Sequence, residues 1–274
     1  MKKRIIVSLL MLVILLPFLF LTDTWLFVIL ISFLSGRAVF EMFRCLGIHK
    51  IYFVSVPAMV LASLSPFAAR YFGTDTYLRY AVVVTVLTAL WMFGVFTFSD
   101  GAITLEQTGT ATAMMLYITC GFSFLILMCD IEKYGFWLML SVFVVSWMTD
   151  IFAYFTGMLF GKHKLIPKIS PKKTVEGAIG GIVFCVAALI VYGICTDRYL
   201  GIKPDYIMLS LAGLAASVVS QIGDLLMSSV KRSRNIKDYG KLLPGHGGIL
   251  DRFDSVLAVS VIMFAAEIFF KLYE

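Results

Sequence analysis

Charged side chains are scarce in this sequence. Asp, Glu, Lys and Arg make up only 15% of its 274 residues, whereas hydrophobic residues make up 60%. Because a soluble domain is about 45–50% apolar and about 25% charged, a sizeable aqueous domain is excluded. A helix that crosses a bilayer needs about 20 mostly apolar residues, and this chain can supply many of them. The composition therefore predicts one membrane-embedded unit with short loops.

Patterns that bind zinc, form disulfides or contact nucleic acid are also missing. The five cysteines form no CxxC pair, and most lie in or beside apolar runs, as is typical of thiols packed between helices. There is no zinc-finger spacing and no basic face interleaved with aromatic residues. The net charge of +6 therefore does not indicate nucleic acid as a partner.

Nine apolar runs are separated by short polar or glycine-containing breaks. We predict an all-α, polytopic membrane protein with about nine transmembrane helices. The first run resembles a signal peptide, but no small-x-small cleavage site follows, so we interpret it as an uncleaved span. The predicted spans are residues 5–21, 24–43, 51–70, 77–98, 109–129, 136–160, 175–195, 206–228 and 250–271.

The distribution of Lys and Arg predicts the orientation of these spans. With a cytoplasmic N-terminus, 17 of these residues fall on the cytoplasmic side and 6 on the other side. Cytoplasmic loops are normally rich in Lys and Arg, so we expect a cytoplasmic N-terminus and an outside C-terminus. Two cation-rich late loops, 161–174 and 229–249, are then both cytoplasmic.

Acidic side chains inside spans are costly, so they must reach the interface or face a polar interior. Glu41 and Glu267 lie near span ends, and we interpret them as side chains that snorkel to the interface. Asp150 lies within the apolar run SWMTDIFAYFTGMLFG. The residues on its helix face indicate either a polar site or close packing between helices, and the two interpretations have about equal support. The other residues of that face are Tyr154, Gly157 and Gly161.

Asp224 interrupts a second apolar run and lies on a stripe of polar residues. The stripe steps by four and three residues along one helix face and leads to two cations, Lys231 and Arg232. A polar seam that only holds helices together does not need an acid, so we favour the lining of a site. The other members of the stripe are Ser217, Gln221 and Ser228.

The segment after this helix combines glycines with acids. It reads PGHGGILDRFD from residue 244, and a glycine-rich turn before a helix lets the backbone N–H groups of Gly247 and Gly248 approach an anion. One or two carboxylates with water and substrate phosphates suit Mg²⁺, and Asp224 and Asp251 fit this description. His246 either contacts a phosphate or serves only in the turn, and a lone histidine does not indicate zinc.

The other late loop, GKHKLIPKISPKKTVEG, holds a second cluster of cations. We predict a helix with Ser170 as its N-cap and Pro171 as its first residue. Lys172 and Lys173 would then lie at the positive end of the helix dipole, where cations are disfavoured unless a phosphate binds there. Alternatively, these lysines are only part of the positive charge that marks a cytoplasmic loop.

A long pattern in this region resembles the signature of CDP-diacylglycerol synthases, which are phosphatidate cytidylyltransferases. It matches over all 27 positions, and Asp150 with Tyr154 and the stretch SPKKTVEG are also similar to that family. The resemblance covers residues 146–258, whereas the earlier spans are similar only in being apolar. The pattern is Ser228-x-x-Lys231-Arg232-x4-Lys237-Asp238-x-Gly240-x3-Pro244-x-His246-Gly247-Gly248-x-x-Asp251-Arg252-x-Asp254.

The resemblance implies a helical, many-spanning homodimer that joins CTP and phosphatidic acid, giving CDP-diacylglycerol and pyrophosphate. Its site would be a polar cavity open to the cytoplasm and laterally to lipid, in the bacterial inner membrane. Residues 1–135 would form about five structural and dimerising spans. Residues 136–274 would form the catalytic part with the two late loops.

The resemblance implies roles for individual residues. Asp224 and Asp251 would hold Mg²⁺, with K⁺ as a candidate second cation. The residues assigned to catalysis beside them are Lys231, Arg232, Lys237, His246 and Arg252. The residues assigned to substrate binding are Ser170, Lys172, Lys173, Asp150, Tyr154, Gly247 and Gly248. Cations suit this chemistry because both reactants are anionic and repel each other in water.

Three alternatives stay open. A related enzyme that activates another lipid phosphate with CTP, such as an archaeal-type ether lipid, would have a similar polar site. A transporter would show inverted repeats and charges at mid-membrane depth, whereas the charges here gather on one side. A non-catalytic membrane scaffold would leave Asp150 and Asp224 unexplained.

Overall fold

The structure is a computed structural model that describes residues 21–242 and 247–274. Seven helices in this part of the chain are long and apolar enough to cross a bilayer, as an all-α membrane protein requires. They are α1 (Trp25–Leu46), α2 (Tyr52–Phe98), α3 (Leu105–Cys129), α4 (Gly135–Phe160), α5 (Val175–Leu200), α6 (Tyr206–Ser233) and α7 (Leu250–Phe270). The predicted span 5–21 lies outside the described residues except at its last position.

Helix α2 contains two of the predicted spans, because it turns back on itself at Gly73. As a straight helix its 47 residues would be about 70 Å long, far more than one bilayer needs. Gly73 has a φ of 69° and a ψ of 176°, a conformation that is essentially restricted to glycine. The hydroxyls of Ser65 and Tyr77 are 2.8 Å apart, although a separation of 12 residues spans about 18 Å of straight helix.

Eight of the predicted spans therefore have helical counterparts among the described residues. The two spans within α2 are 51–70 and 77–98, on either side of the reversal at Gly73. The count of nine and the orientation stay predictions, because the first run lies outside the described residues and no membrane defines the sides.

The described chain forms two compact units. The first contains residues up to 130 together with 234–253, and the second contains residues 131–233 together with 254–274. Helix α7 therefore begins in the first unit and continues in the second. The predicted division of roles between residues 1–135 and 136–274 stays a prediction.

In the first unit, α1, α2 and α3 pack together, and polar contacts join their ends. At one end, Arg70 donates to the carbonyl oxygen of Thr22 and pairs with Asp130 at 2.7 Å. Burial raises the pKa of Asp130 to about 6, and Arg70 opposes this shift. At the other end, the side chain of Gln107 donates to the carbonyl oxygen of Leu46. These contacts join helices and loops that are distant in sequence.

In the second unit, α4 and α5 approach closely where small residues face each other. A Cβ atom at Gly177 would lie 2.6 Å from the carbonyl oxygen of Ala153, so no larger residue fits there. A hydroxyl pair joins α4 to α6, with Thr149 donating to the Oγ of Ser217 at 2.9 Å. Ser217, the first residue of the polar stripe on α6, thus holds two helices together.

A short antiparallel hairpin that the sequence pattern does not predict precedes α5. It consists of β1 (Lys164–Ile166) and β2 (Ser170–Thr174). The prediction that Ser170 caps a helix with Lys172 and Lys173 in its first turn is wrong, because all three residues belong to β2. No helix dipole therefore favours a phosphate beside Lys172 and Lys173.

Helix α5 begins at Val175, and Thr174 is its N-cap. The Oγ1 of Thr174 accepts a hydrogen bond from the backbone N–H of Gly177 at 3.1 Å. The first turn contains an acid, Glu176, which suits the positive end of the helix dipole. The apolar run also starts at Val175, so a cap directly before it agrees with the hydrophobic pattern better than Ser170 does.

The acids near span ends, Glu41 and Glu267, are buried. Their exposed fractions are 0% and 4%, so the interpretation that they snorkel to an interface is wrong. Glu267 accepts hydrogen bonds from the hydroxyl of Tyr134 and the backbone N–H of Leu272. Glu41 accepts one from the backbone N–H of Leu250. Each carboxylate is held by donors outside its own helix, as buried acids require.

Candidate active site

A cavity of about 330 Å³ lies in the second unit, between α4, the hairpin, α5 and α6. This volume is within the range of small-ligand pockets, about 300–1,000 Å³. Five residues assigned to the site from the sequence line it together: Asp150, Tyr154, Lys172, Lys173 and Asp224. The hairpin supplies the lysines, whereas α4 and α6 supply the acids.

An ion pair forms the centre of the polar wall. The Nζ of Lys173 lies 2.6 Å from the Oδ2 of Asp224, and the two side chains are 24% and 28% exposed. Partial burial strengthens such a pair relative to one at an open surface. One turn before Asp224, the side chain of Gln221 donates to the carbonyl oxygen of Ala178 at 3.2 Å. This bond fixes α6 against α5 beside the ion pair.

Further charged groups surround Asp224 within the same unit. Asp150 on α4 and Asp254 on α7 are close enough to Asp224 for the carboxylates to repel one another. Lys173 attracts Asp150, and Lys231, which is only 8% exposed, attracts Asp254. Carboxylates that repel one another in this way favour the binding of a further cation beside them.

The donors on this wall fit Mg²⁺ by their chemistry. Mg²⁺ is usually bound by one or two carboxylates and completes its shell with water and substrate phosphates. Asp224 can provide such an oxygen, because it lines the cavity. Within residues 21–242 and 247–274, no group of three or more His, Cys, Asp or Glu side chains is arranged to hold a metal, so water and phosphate would supply most ligands.

Asp251 lies in the first unit, in the first turn of α7, where it closes the loop of the signature. Its Oδ2 accepts hydrogen bonds from the backbone N–H groups of Tyr239 at 2.7 Å and Gly248 at 2.9 Å. These bonds join two arms of the signature loop, residues 238–242 and 247–251. Because Asp224 and Asp251 belong to different units, their joint binding of Mg²⁺ stays a prediction.

Within the described part of the second unit, three predicted site residues are not part of the lining of this cavity: Ser170, Lys231 and Arg232. Ser170 begins β2, and Gly247 takes a φ of 87° in the first unit. His246 lies outside the described residues. Three of the predicted cations are exposed: Arg232, Lys237 and Arg252. Their roles stay predictions from the signature.

The sequence patterns do not predict the apolar wall of the cavity, which includes Met158 and Leu165. Met158 follows Tyr154 by four residues and therefore extends the helix face of Asp150, so the helical period contains a signal for it. Leu165 lies in a three-residue strand, which is too short for any period to indicate which side chains face a cavity.

Comparison with known proteins finds similarity over the region that contains the signature and over most of the rest of the chain. Residues 2–270 match the model of the cytidylyltransferase family. The chain belongs to this family. A phosphatidate cytidylyltransferase of Bacillus subtilis (strain 168) is 35% identical over 264 residues, which are 94% of each chain. Its counterpart in Staphylococcus aureus (strain COL) is 33% identical over 267 residues, 94% of this chain and 96% of the relative.

Membership of the cytidylyltransferase family confirms the resemblance inferred from the late signature. The match begins at residue 2 and therefore also covers the early predicted spans, for which the sequence showed only hydrophobicity. Helices α1, α2 and α3 are therefore part of the architecture that the family shares.

Proposed function

We propose that this chain transfers the cytidylyl group of CTP to phosphatidic acid in phospholipid biosynthesis, giving CDP-diacylglycerol and pyrophosphate. The observation that carries the proposal is the cavity in which Lys173 pairs with Asp224 at 2.6 Å. Both residues lie within residues 146–258, the region that resembles the family, although they precede the 27-position signature. The relatives that are named phosphatidate cytidylyltransferase align with nearly the whole chain.

The reaction brings two anions together. A phosphate oxygen of phosphatidic acid attacks the α-phosphorus of CTP, and the bond from that phosphorus to the β-phosphate oxygen breaks as pyrophosphate leaves. A deprotonated lipid phosphate is already a nucleophile, so no general base is needed. The main task of the protein is to position the reactants and to offset their charge.

The lysines of the hairpin suit this task. Lys172 and Lys173 line the cavity, and Asp224 orients the ammonium group of Lys173, so that its charge is in place before a phosphate enters. Bound Mg²⁺, held by Asp224 and Asp251, would supply further neutralisation of phosphate charge, with K⁺ as a second cation.

The apolar wall suits the lipid substrate. Tyr154 and Met158 are 65% and 60% exposed on α4, a helix apolar enough to lie in the bilayer. A glycerolipid can therefore keep its acyl chains beside α4 while its phosphate reaches Lys173. This arrangement favours a lateral entrance for the lipid.

The proposal also places the site on the cytoplasmic side of a bacterial inner membrane, where CTP is available. In the second unit, the backbone N–H groups of Asp205 and Glu274 bond to the carbonyl oxygens of Leu272 and Lys203, both at 2.9 Å. The loop 201–205 and the C-terminus thus share one end of this unit, and the hairpin lies at the opposite end of α5. These opposite ends agree with the distribution of Lys and Arg, which predicts that successive loops alternate between the cytoplasmic side and the other side. Homodimerisation is part of the same proposal.

A direct assay tests the reaction. Purified protein is incubated with labelled CTP, phosphatidic acid and Mg²⁺, and liponucleotide and pyrophosphate are measured separately. We expect both products in equal amounts, and none when EDTA is in excess. Parallel reactions with an ether-linked lipid phosphate and with CTP alone distinguish a different lipid substrate from hydrolysis. If no lipid phosphate yields a liponucleotide, the proposed function is wrong.

A further inference from the structure

The buried carboxylate of Glu41 connects α1 to the loop of the signature. Glu41 is 0% exposed, and its Oε2 accepts a hydrogen bond from the backbone N–H of Leu250 at 3.0 Å, across 209 positions of sequence. The backbone N–H of Ile249 also interacts with this carboxylate. All of these residues belong to the first unit, and Asp251 follows directly after them.

Helix α7 needs this acceptor because its own sequence provides no cap. The first backbone N–H groups of a helix have no partner within the helix, and a Ser, Thr, Asp or Asn before the first residue usually accepts one of them. Here that position is occupied by Ile249, whose side chain cannot accept a hydrogen bond. Glu41 supplies the missing acceptor from another helix, and its negative charge suits the positive end of the dipole.

The same carboxylate packs against both arms of the signature loop at the point where they touch. A Cβ atom at Gly248 would collide with it, and all three nearest atoms belong to the carboxyl group of Glu41. A Cβ atom at Gly240, on the other arm, would also collide with it. The two glycines therefore leave the space that the carboxylate fills.

Two arginines of α1 complete the contact. Arg44 lies one turn after Glu41 on the same face and donates through its Nη2 to the carbonyl oxygen of Tyr239 at 2.5 Å. Arg37 lies one turn before Glu41, with its Nε 3.6 Å from Oε1, and offsets the buried charge. Tyr239 is the residue whose backbone N–H is bound by Asp251. The contacts of α1 and of Asp251 therefore converge on one loop conformation.

We propose that Glu41 is a positioning residue for the cytidylyltransferase reaction, with Arg44 as its partner. By capping α7 and packing against both arms of the loop, it sets the orientation of Asp251 and the adjoining signature residues. This inference rests on the proposed function, and it assigns a task to a helix of the N-terminal spans. Glu41 contacts no substrate in this role and acts through the loop.

The test compares turnover and stability of purified variants. The wild-type enzyme is assayed first, because its inactivity would count against the proposed function and not against the role of Glu41. With an active wild type, Glu41→Ala is expected to lower kcat about 10- to 100-fold and to change either KM less than about threefold, because geometry rather than binding is lost. Glu41→Gln keeps an oxygen that can accept from Leu250, and we expect it to stay within about fivefold of wild type.

Glu267→Ala is the matched control, since it removes another buried carboxylate that accepts a backbone hydrogen bond near α7. We expect it to lower the unfolding temperature while kcat, measured well below that temperature, stays within about twofold of wild type. A wild-type kcat in Glu41→Ala, or equal losses of kcat in the two alanine variants, would overturn the proposal.

A double-variant cycle tests the contact from the side of the loop. Gly248→Ala alone places a methyl group against the carboxylate, and Glu41→Asp alone withdraws the carboxylate by one methylene; each is expected to lower kcat. In the combined variant the methyl group occupies the vacated space, so its kcat should exceed the value expected from multiplying the single effects. A combined loss equal to that product would contradict a direct contact in the active enzyme.

Discussion

At the scale of single residues, the charge of Asp224 decides what the cavity can bind. Its carboxylate orients Lys173 and lies near two further acids, Asp150 and Asp254. An asparagine in its place would have nearly the same shape but neither orient the ammonium group equally well nor attract a cation. The substitution Asp224→Asn therefore tests the effect of the charge separately from the effect of the side-chain shape.

We expect Asp224→Asn to lower CTP-dependent turnover about 100-fold or more, because the electrostatic arrangement of the site is lost. Insertion and folding should be retained, since the side chain is partly exposed and its neighbours stay in place. The assay is liponucleotide formation by purified protein of matched unfolding temperature. Asp197→Asn, which changes an acid at the other end of α5, is the control and should keep wild-type turnover. An active Asp224→Asn enzyme would refute the role of this carboxylate.

Asp251→Asn gives complementary information at the second predicted ligand. Both loop amides bond to a single oxygen of Asp251, so asparagine can keep these two hydrogen bonds while the charge is lost. We expect turnover to fall about 100-fold or more with little change in unfolding temperature. If turnover is retained, the carboxylate serves only to close the loop, and its assignment to Mg²⁺ is wrong.

Lys173 offers a matched comparison within one hairpin. Lys173→Ala is expected to lower turnover about tenfold or more, because it removes the charge that faces the cavity beside Asp224. Lys168→Ala removes the same charge from an exposed position in the turn, and its turnover should be unchanged. Similar rates for both variants and the wild type would mean that the lysines of the hairpin only mark a cytoplasmic loop and have no role in turnover.

At the scale of elements, the hairpin shows where sequence patterns are misleading. Ser170 followed by proline is typical of a helix start, yet α5 starts four residues later than that pattern predicts. A cap signal is short and recurs by chance, whereas the start of an apolar run is set by burial over many residues. The long signal was correct here, and the short one was wrong.

The cap of α5 can be tested by comparing two hydroxyl residues. Thr174→Ala should lower the free energy of unfolding by about 1 kcal/mol, because the N–H of Gly177 loses its acceptor. Ser170→Ala should change it by less than about 0.5 kcal/mol, since the structure gives Ser170 no capping role. Denaturant unfolding in detergent measures both changes, and a larger effect at Ser170 would contradict the observed helix start.

At the scale of the whole molecule, the sequence predicts helices well and their partners poorly. Among the described residues, hydrophobic runs predict the positions of eight helical segments correctly, because a helix that crosses a bilayer must itself be apolar. The contact between Glu41 and Leu250 joins residues 209 positions apart, and no local pattern encodes such a pairing. The candidate site is intermediate. Acids within apolar runs and a cation-rich loop predict its acids and lysines, whereas its apolar wall depends on how distant elements meet.

The orientation of the whole molecule yields a final prediction. If the alternation of loops is correct, Lys168 in the hairpin and Lys203 after α5 face opposite sides of the membrane, and both side chains are exposed. After replacement of the five native cysteines, Lys203→Cys should react with a membrane-impermeant maleimide in intact spheroplasts, because its loop is predicted to lie outside. Lys168→Cys should react only in inverted membrane vesicles. Labelling of both positions from one side would exclude α5 as a single span, and the reverse pattern would place the candidate site away from cytoplasmic CTP.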